Sequence, residues 1–104
     1  MLEVRHKKYL KSLAHSLKPL VKIGQKGLTS FVVTEIKKTA IAHELIKIQL
    51  PSKTQATEKD SILDNLRTLL DERFSIVDRI GRNIILFYRE ADQKKARIKL
   101  DSTS

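Results

Sequence analysis

Apolar residues along the first segment recur at helical spacing. At about 100° per residue, Leu10, Leu13, Ala14 and Leu17 share one face, which predicts a helix over Val4–Leu17 with Lys7, Lys8, Lys11, His15 and Lys18 on an adjoining flank. Lys18-Pro19 ends it, because proline disfavours helical geometry in the residue before it. Leu20–Ile23 is a short apolar run broken by Lys22 and reads as a strand. After Gly24-Gln25-Lys26-Gly27 the helical spacing resumes near Thr29. Val32, Val33, Ile36 and Ala40 turn inward there, Lys37 and Lys38 sit away from them, and Thr29 or Ser30 suits the N-cap.

Leu45–Leu50 alternates in part and stops at Pro51, which predicts a second strand. Ser52–Ala56 is polar enough for a loop. Thr57–Asp60 has capping-box spacing, with aspartate in place of the usual glutamate, and opens a helix that turns Ile62, Leu63, Leu66, Leu69 and Leu70 inward. Ser75–Ile80 and Ile84–Arg89 are two strands joined through Gly81-Arg82-Asn83, a hairpin signal. If the last strand alternates, one of Phe87 and Tyr88 points inward. The charged stretch from Glu90 onward is expected to end loosely.

The order is an N-terminal helix followed by β-α-β-α-β-β. The first two strands flank a helix and should be parallel with a right-handed crossover; the final hairpin makes a four-stranded mixed sheet. This is a single small layered α/β domain over residues 1–100 with a short tail at 101–104. A chain of 104 residues can bury one modest core, and it contains no internal repeat.

Composition narrows the function classes. No apolar run approaches the roughly 20 residues of a membrane span, the N-terminus lacks a secretory signal pattern, and there is no cysteine for disulfides or thiolate metal sites. A cytoplasmic protein is the expectation. Charge carries more information: 21 Lys and Arg stand against 12 Asp and Glu, for a net +9. Residues 1–50 hold ten basic and three acidic side chains, and the first 34 contain only Glu3 as an acid. Such a field favours a polyanionic partner, either nucleic acid or an acidic membrane surface.

Catalytic chemistry finds little footing. His6, His15 and His43 lack metal-ligand spacing, and Pro51-Ser52-Lys53-Thr54 has none of the glycines of a phosphate-binding loop. Asp60 and Asp64 fit a solvated helix face better than an acid/base pair. Gly24-Gln25-Lys26-Gly27 differs by its position between a strand end and a helix start, where unpaired N–H groups and the helix dipole attract anions. Two of the three glycines lie here; they let backbone approach a phosphate, and equally they suit a tight turn. Aromatics are few (Tyr9, Phe31, Phe74, Phe87 and Tyr88), so RNA would be held through phosphates and shape more than through stacked bases.

Leu13-Ala14-His15, Leu17-Lys18-Pro19, Ile23-Gly24-Gln25-Lys26-Gly27-Leu28-Thr29 and His43-Glu44-Leu45-Ile46-Lys47 resemble the signature of the CRM domain, named for chloroplast RNA splicing and ribosome maturation. Ile80-Gly81-Arg82-Asn83, Leu86-Phe87-Tyr88-Arg89 and Arg97-Ile98-Lys99-Leu100 resemble its closing hairpin and end. In particular the chain is similar to the bacterial stand-alone, YhbY-type members. The resemblance implies a fold like the C-terminal domain of translation initiation factor three. It also implies association with precursor large ribosomal subunits and rRNA binding through the G-x-x-G loop. Carried onto this chain, the loop is Gly24, Gln25, Lys26 and Gly27, with Lys22 and Lys18 nearby; Lys7 and Lys11 of the first helix would add attraction. Asp101-Ser102-Thr103-Ser104 departs from the ending such proteins carry. The expectation is a monomeric, non-catalytic RNA-binding protein with no cofactor, no metal, no small-molecule substrate and no membrane partner.

Overall fold

The computed structural model describes residues 2–51, 56–92, 94–98 and 100. Three helices, α1 (Val4–Ala14), α2 (Ser30–His43) and α3 (Ala56–Leu69), accompany four strands, β1 (Val21–Lys22), β2 (Leu45–Gln49), β3 (Phe74–Ile80) and β4 (Asn83–Tyr88). The strands form one sheet in the order β1-β2-β4-β3. β1 pairs parallel with β2, and β4 pairs antiparallel with both β2 and β3. The four-stranded mixed sheet read from the sequence is therefore present.

The side-chain period of two sends alternate residues to opposite faces of this sheet, and both faces are covered. On one face Val21, Ile23, Ile46, Ile48, Leu50, Ile84, Leu86 and Tyr88 pack with Ile36 and Ala40 of α2 and Leu63 and Leu66 of α3. On the other, Leu45, Val77, Ile85 and Phe87 pack with Leu10 and Ala14 of α1, together with Leu2 and Leu100. The domain is thus a three-layer sandwich with one helix on one side and two on the other. Strand β4 lies between the two cores, and Ile84 to Tyr88 are all buried. The expectation that Phe87 or Tyr88 turns inward is met twice over: alternation holds, and each direction leads into a core.

Helix α1 ends at Ala14, three residues before the predicted end. The Leu17 N–H closes a tight turn on the Ala14 carbonyl at 3.0 Å, and the Leu20 N–H already bonds the Lys47 carbonyl at the sheet edge at 3.1 Å. Residues 15–19 must carry the chain from the helix layer to the sheet, so Leu17 leaves the apolar stripe and is exposed. The first strand shortens to Val21–Lys22 and Leu20 is exposed. In α3, Leu63 and Leu66 are buried and Ile62 and Leu70 pack at their edge. Leu69 does not join them and is exposed, since the spacing 63, 66, 70 holds one face and leaves 69 beside it. The predicted loop at 52–55 lies outside the described residues. Thr57 falls inside α3, which begins at Ala56.

Thr29 caps α2 as expected: its hydroxyl accepts the Val32 N–H at 3.2 Å. At the other end of α2, Glu44 adopts φ 67° and ψ −45°, a region strained for a residue with a side chain. Its carboxylate is buried and accepts the backbone N–H groups of Arg97 at 2.7 Å and Ile98 at 3.1 Å. Its own carbonyl accepts the Tyr88 N–H at 2.7 Å. The C-terminal stretch is consequently tied down over 94–98 and at Leu100, where Ala96 and Leu100 are buried. The sequence reading of a loose end from Glu90 is wrong for these residues. Residues 101–104, the expected tail, lie outside the described ones.

Candidate nucleic-acid interface

The Gly24–Gly27 segment leaves β1 and enters α2. Its turn is closed by a 3.0 Å bond from the Gly27 N–H to the Gly24 carbonyl, and Gly27 takes φ 75°, where a Cβ would be strained. Gly24 does not take a positive φ, and a Cβ added there would meet nothing within 4 Å. Gln25 and Lys26 stand exposed at the turn's corners. The first turn of α2 has no acidic residue, so no side-chain charge offsets its positive dipole end beyond the neutral Thr29 cap. Phe31 in that turn is 73% exposed.

Lys22 is exposed between buried Val21 and Ile23, whose side chains enter the α2/α3 core. Lys22 therefore stands on the opposite, α1 face. By the same alternation Lys47 and Gln49 of β2 share that face with Asn83 and Ile85 of β4. Register aligns them: Lys22 pairs with Gln49, Gln49 with Asn83, and Asn83 with Ile80. A row Lys22–Gln49–Asn83–Ile80 thus crosses all four strands at the end of the sheet nearest the loop. Strand spacing makes its span from Lys22 to Asn83 about 10 Å. Helix α1 ends at Ala14, and Lys47, Gln49 and Asn83 are left only half-buried at this end of the face.

The remaining basic residues read from the sequence distribute around this end of the face. Lys7 and Lys11 lie one turn apart on α1, and Lys18 is exposed in the link to β1. Lys11 is not a free cation: its Nζ makes a 2.9 Å ion pair with Asp78 of β3. That ammonium hydrogen bond, helped by the Arg79 N–H and the charge of Lys7, holds the Asp78 carboxyl below the usual carboxylate range. Lys22 and the loop meet at one corner of the sheet, whereas Lys7 and Lys11 lie on the helix beside β3. The sequence reading missed Lys47, Gln49 and Asn83. The signal was there in β2, where Lys47 and Gln49 interrupt a strand whose other positions are all buried, as expected of a face only half covered. Among the described residues no three His, Cys, Asp or Glu side chains gather as a metal site.

The arrangement offers backbone amides and a helix N-terminus without acidic side chains at one corner and amides and ammonium groups on an open sheet face beside it. Comparison with known proteins identifies the family. Residues 2–89 match the CRS1 / YhbY (CRM) domain model. A Haemophilus influenzae protein named as an RNA-binding protein is 33% identical over 97 residues, covering 93% of this chain and 94% of the relative. A Bacillus subtilis protein named as a probable RNA-binding protein is 30% identical, covering 91% and 95%. A solution structure of a hypothetical Staphylococcus aureus protein, described as a candidate RNA binder, superposes with a TM-score of 0.72 at 32% identity, covering 91% of this chain and 95% of that one. The chain belongs to the CRS1/YhbY (CRM) domain family.

Proposed function

We propose that this protein binds RNA without altering it chemically, and that its target is rRNA in precursor large ribosomal subunits. The observation that carries the RNA part is the continuity of the Gly24–Gly27 turn with the open, lysine-bearing end of the sheet, on a chain of net charge +9. Phosphates dock on the turn's N–H groups and the first turn of α2, while Lys18, Lys22, Lys26 and Lys47 neutralise their neighbours; Lys7 and Lys11 extend the attraction along α1. The names of the relatives support RNA as the partner. The ribosomal target rests on the family resemblance. In this reading the protein acts as a cytoplasmic monomer that holds an RNA conformation while the subunit matures.

Sedimentation of the tagged protein in a low-salt lysate, with and without ribonuclease, tests the target. Co-migration with large-subunit precursors that ribonuclease abolishes is the expected result. Retention on the particles after ribonuclease, and with Lys26→Glu in place, would identify a protein-interaction module instead.

A further inference from the structure

Between the end of α1 and the loop-proximal end of the sheet lies a cavity of about 90 Å³, lined by Lys11, His15, Lys47, Ile80, Asn83 and Ile85. One ordered water needs only about 10–15 Å³, so the space exceeds a single water and admits the edge of a flat ring whose remainder lies over the open mouth. Its walls are of three kinds. Ile80 and Ile85 are apolar, and Ile80 is 53% exposed although it sits in a strand. Lys47 and His15 add polar, nitrogen-bearing side chains to the lining, while Lys11 is turned to Asp78. The amide of Asn83 completes the wall. Its Oδ1 is buried and has no hydrogen-bond partner, so a half-turn of the amide that brings the oxygen to the cavity breaks no bond at that atom.

Resting on the RNA-binding reading above, we infer that this cavity receives one unpaired nucleobase from a single-stranded segment whose backbone runs toward Lys22 and the Gly24–Gly27 turn. A phosphate alone would leave the isoleucine wall unused. A base seats its apolar face on Ile80 and Ile85 and offers an edge of donors and acceptors, which the Asn83 amide can meet in either orientation. Lys47 and His15 then lie beside its sugar and phosphate. The row Lys22–Gln49–Asn83–Ile80 joins the cavity to the turn across the sheet, so base and flanking phosphate engage one continuous surface. A base held in a duplex stack cannot enter, and the protein therefore discriminates single-stranded from fully paired RNA.

The test is equilibrium binding of a short single-stranded RNA and of a fully paired hairpin of the same length. It compares the wild type, Ile80→Ala, His15→Ala, Asn83→Leu and the loop variant Gly24→Asp/Lys26→Glu. Ile80 and His15 are exposed, so their alanine variants keep the fold even where Asn83→Leu does not. Removing part of the seat of one base weakens single-strand binding by about fivefold, the scale of losing one or two apolar carbons from contact, and leaves the hairpin unchanged. Cavity variants that bind both RNAs like wild type, or weaken both equally, overturn the inference, while loss of both RNAs in the loop variant would still uphold RNA binding. A wild type that binds neither RNA overturns both.

Discussion

The buried carboxylate of Glu44 accepts a 2.7 Å hydrogen bond from the backbone N–H of Arg97, 53 residues further along the chain. A second bond, from Ile98 at 3.1 Å, completes a clamp on the C-terminal stretch. The same residue holds a strained φ of 67° at the end of α2 and bonds β4 through its carbonyl. One residue thus joins a helix end, the central strand and the chain's last described segment, which delivers Leu100 to the α1 core.

Glu44→Ala leaves two N–H groups without their acceptor, each worth about 1–3 kcal/mol if it stays buried. Denaturant unfolding should report a loss of about 2 kcal/mol or more. Hydrogen exchange should show the amides of Arg97 and Ile98 losing protection. Glu44→Gly loses the same clamp but relieves the backbone, so it should be about 1 kcal/mol less damaging than alanine. Equal losses in both would remove strain from the account.

Asp78 is the acid set among the cations of the α1 face. Its carboxyl is depressed, first by the Lys11 hydrogen bond, so any stability it contributes is present above the ordinary aspartate value of about 4. That contribution disappears as pH falls through the lowered folded value. Both partners are more than 40% exposed, which limits the pair to about 0–1 kcal/mol. Asp78→Asn should therefore cost little at pH 7 and flatten the acid side of the stability profile. It also frees Lys11, and RNA affinity at low salt should rise a few-fold, as measured by filter binding or fluorescence anisotropy. Unchanged or weaker binding would place Lys11 outside the interface.

The two loop glycines should part company. Gly27→Ala forces a Cβ into φ 75° and should cost about 1–2 kcal/mol in thermal or denaturant unfolding. Gly24→Ala meets open space and should fall within about 0.5 kcal/mol of wild type. Gly24→Asp should likewise melt normally while repelling phosphate.

Much of the fold was legible because local signals agreed with the tertiary arrangement. The Thr29 cap, the Gly81 turn and the apolar spacing of α2 each act within a few residues. What escaped depended on partners far along the chain. Leu17 continues a helical stripe in sequence, but the chain must leave α1 early to reach the edge of β2. Phe87 and Tyr88 alternate as a strand should, yet no local rule says that both faces of β4 are covered. Glu44 looks like an ordinary acid until residues 97 and 98 return to it. For the interface, the Gly24–Gly27 turn and its neighbouring lysines could be named from sequence. That Lys47, Gln49 and Asn83 share a face with Lys22 follows only from the register that aligns β1, β2 and β4.

In the proposed function, the Gly24–Gly27 turn and the open sheet face hold RNA through its phosphates. Affinity for an rRNA fragment, measured across a salt series for wild type and Gly24→Asp/Lys26→Glu, addresses it most directly. Several phosphate contacts predict a steep log–log decline, with a slope near −0.7 per contact on single strands. The variant should bind more weakly and with a shallower slope while melting like wild type. A flat salt response in the wild type, or identical curves for the two proteins, would contradict the account.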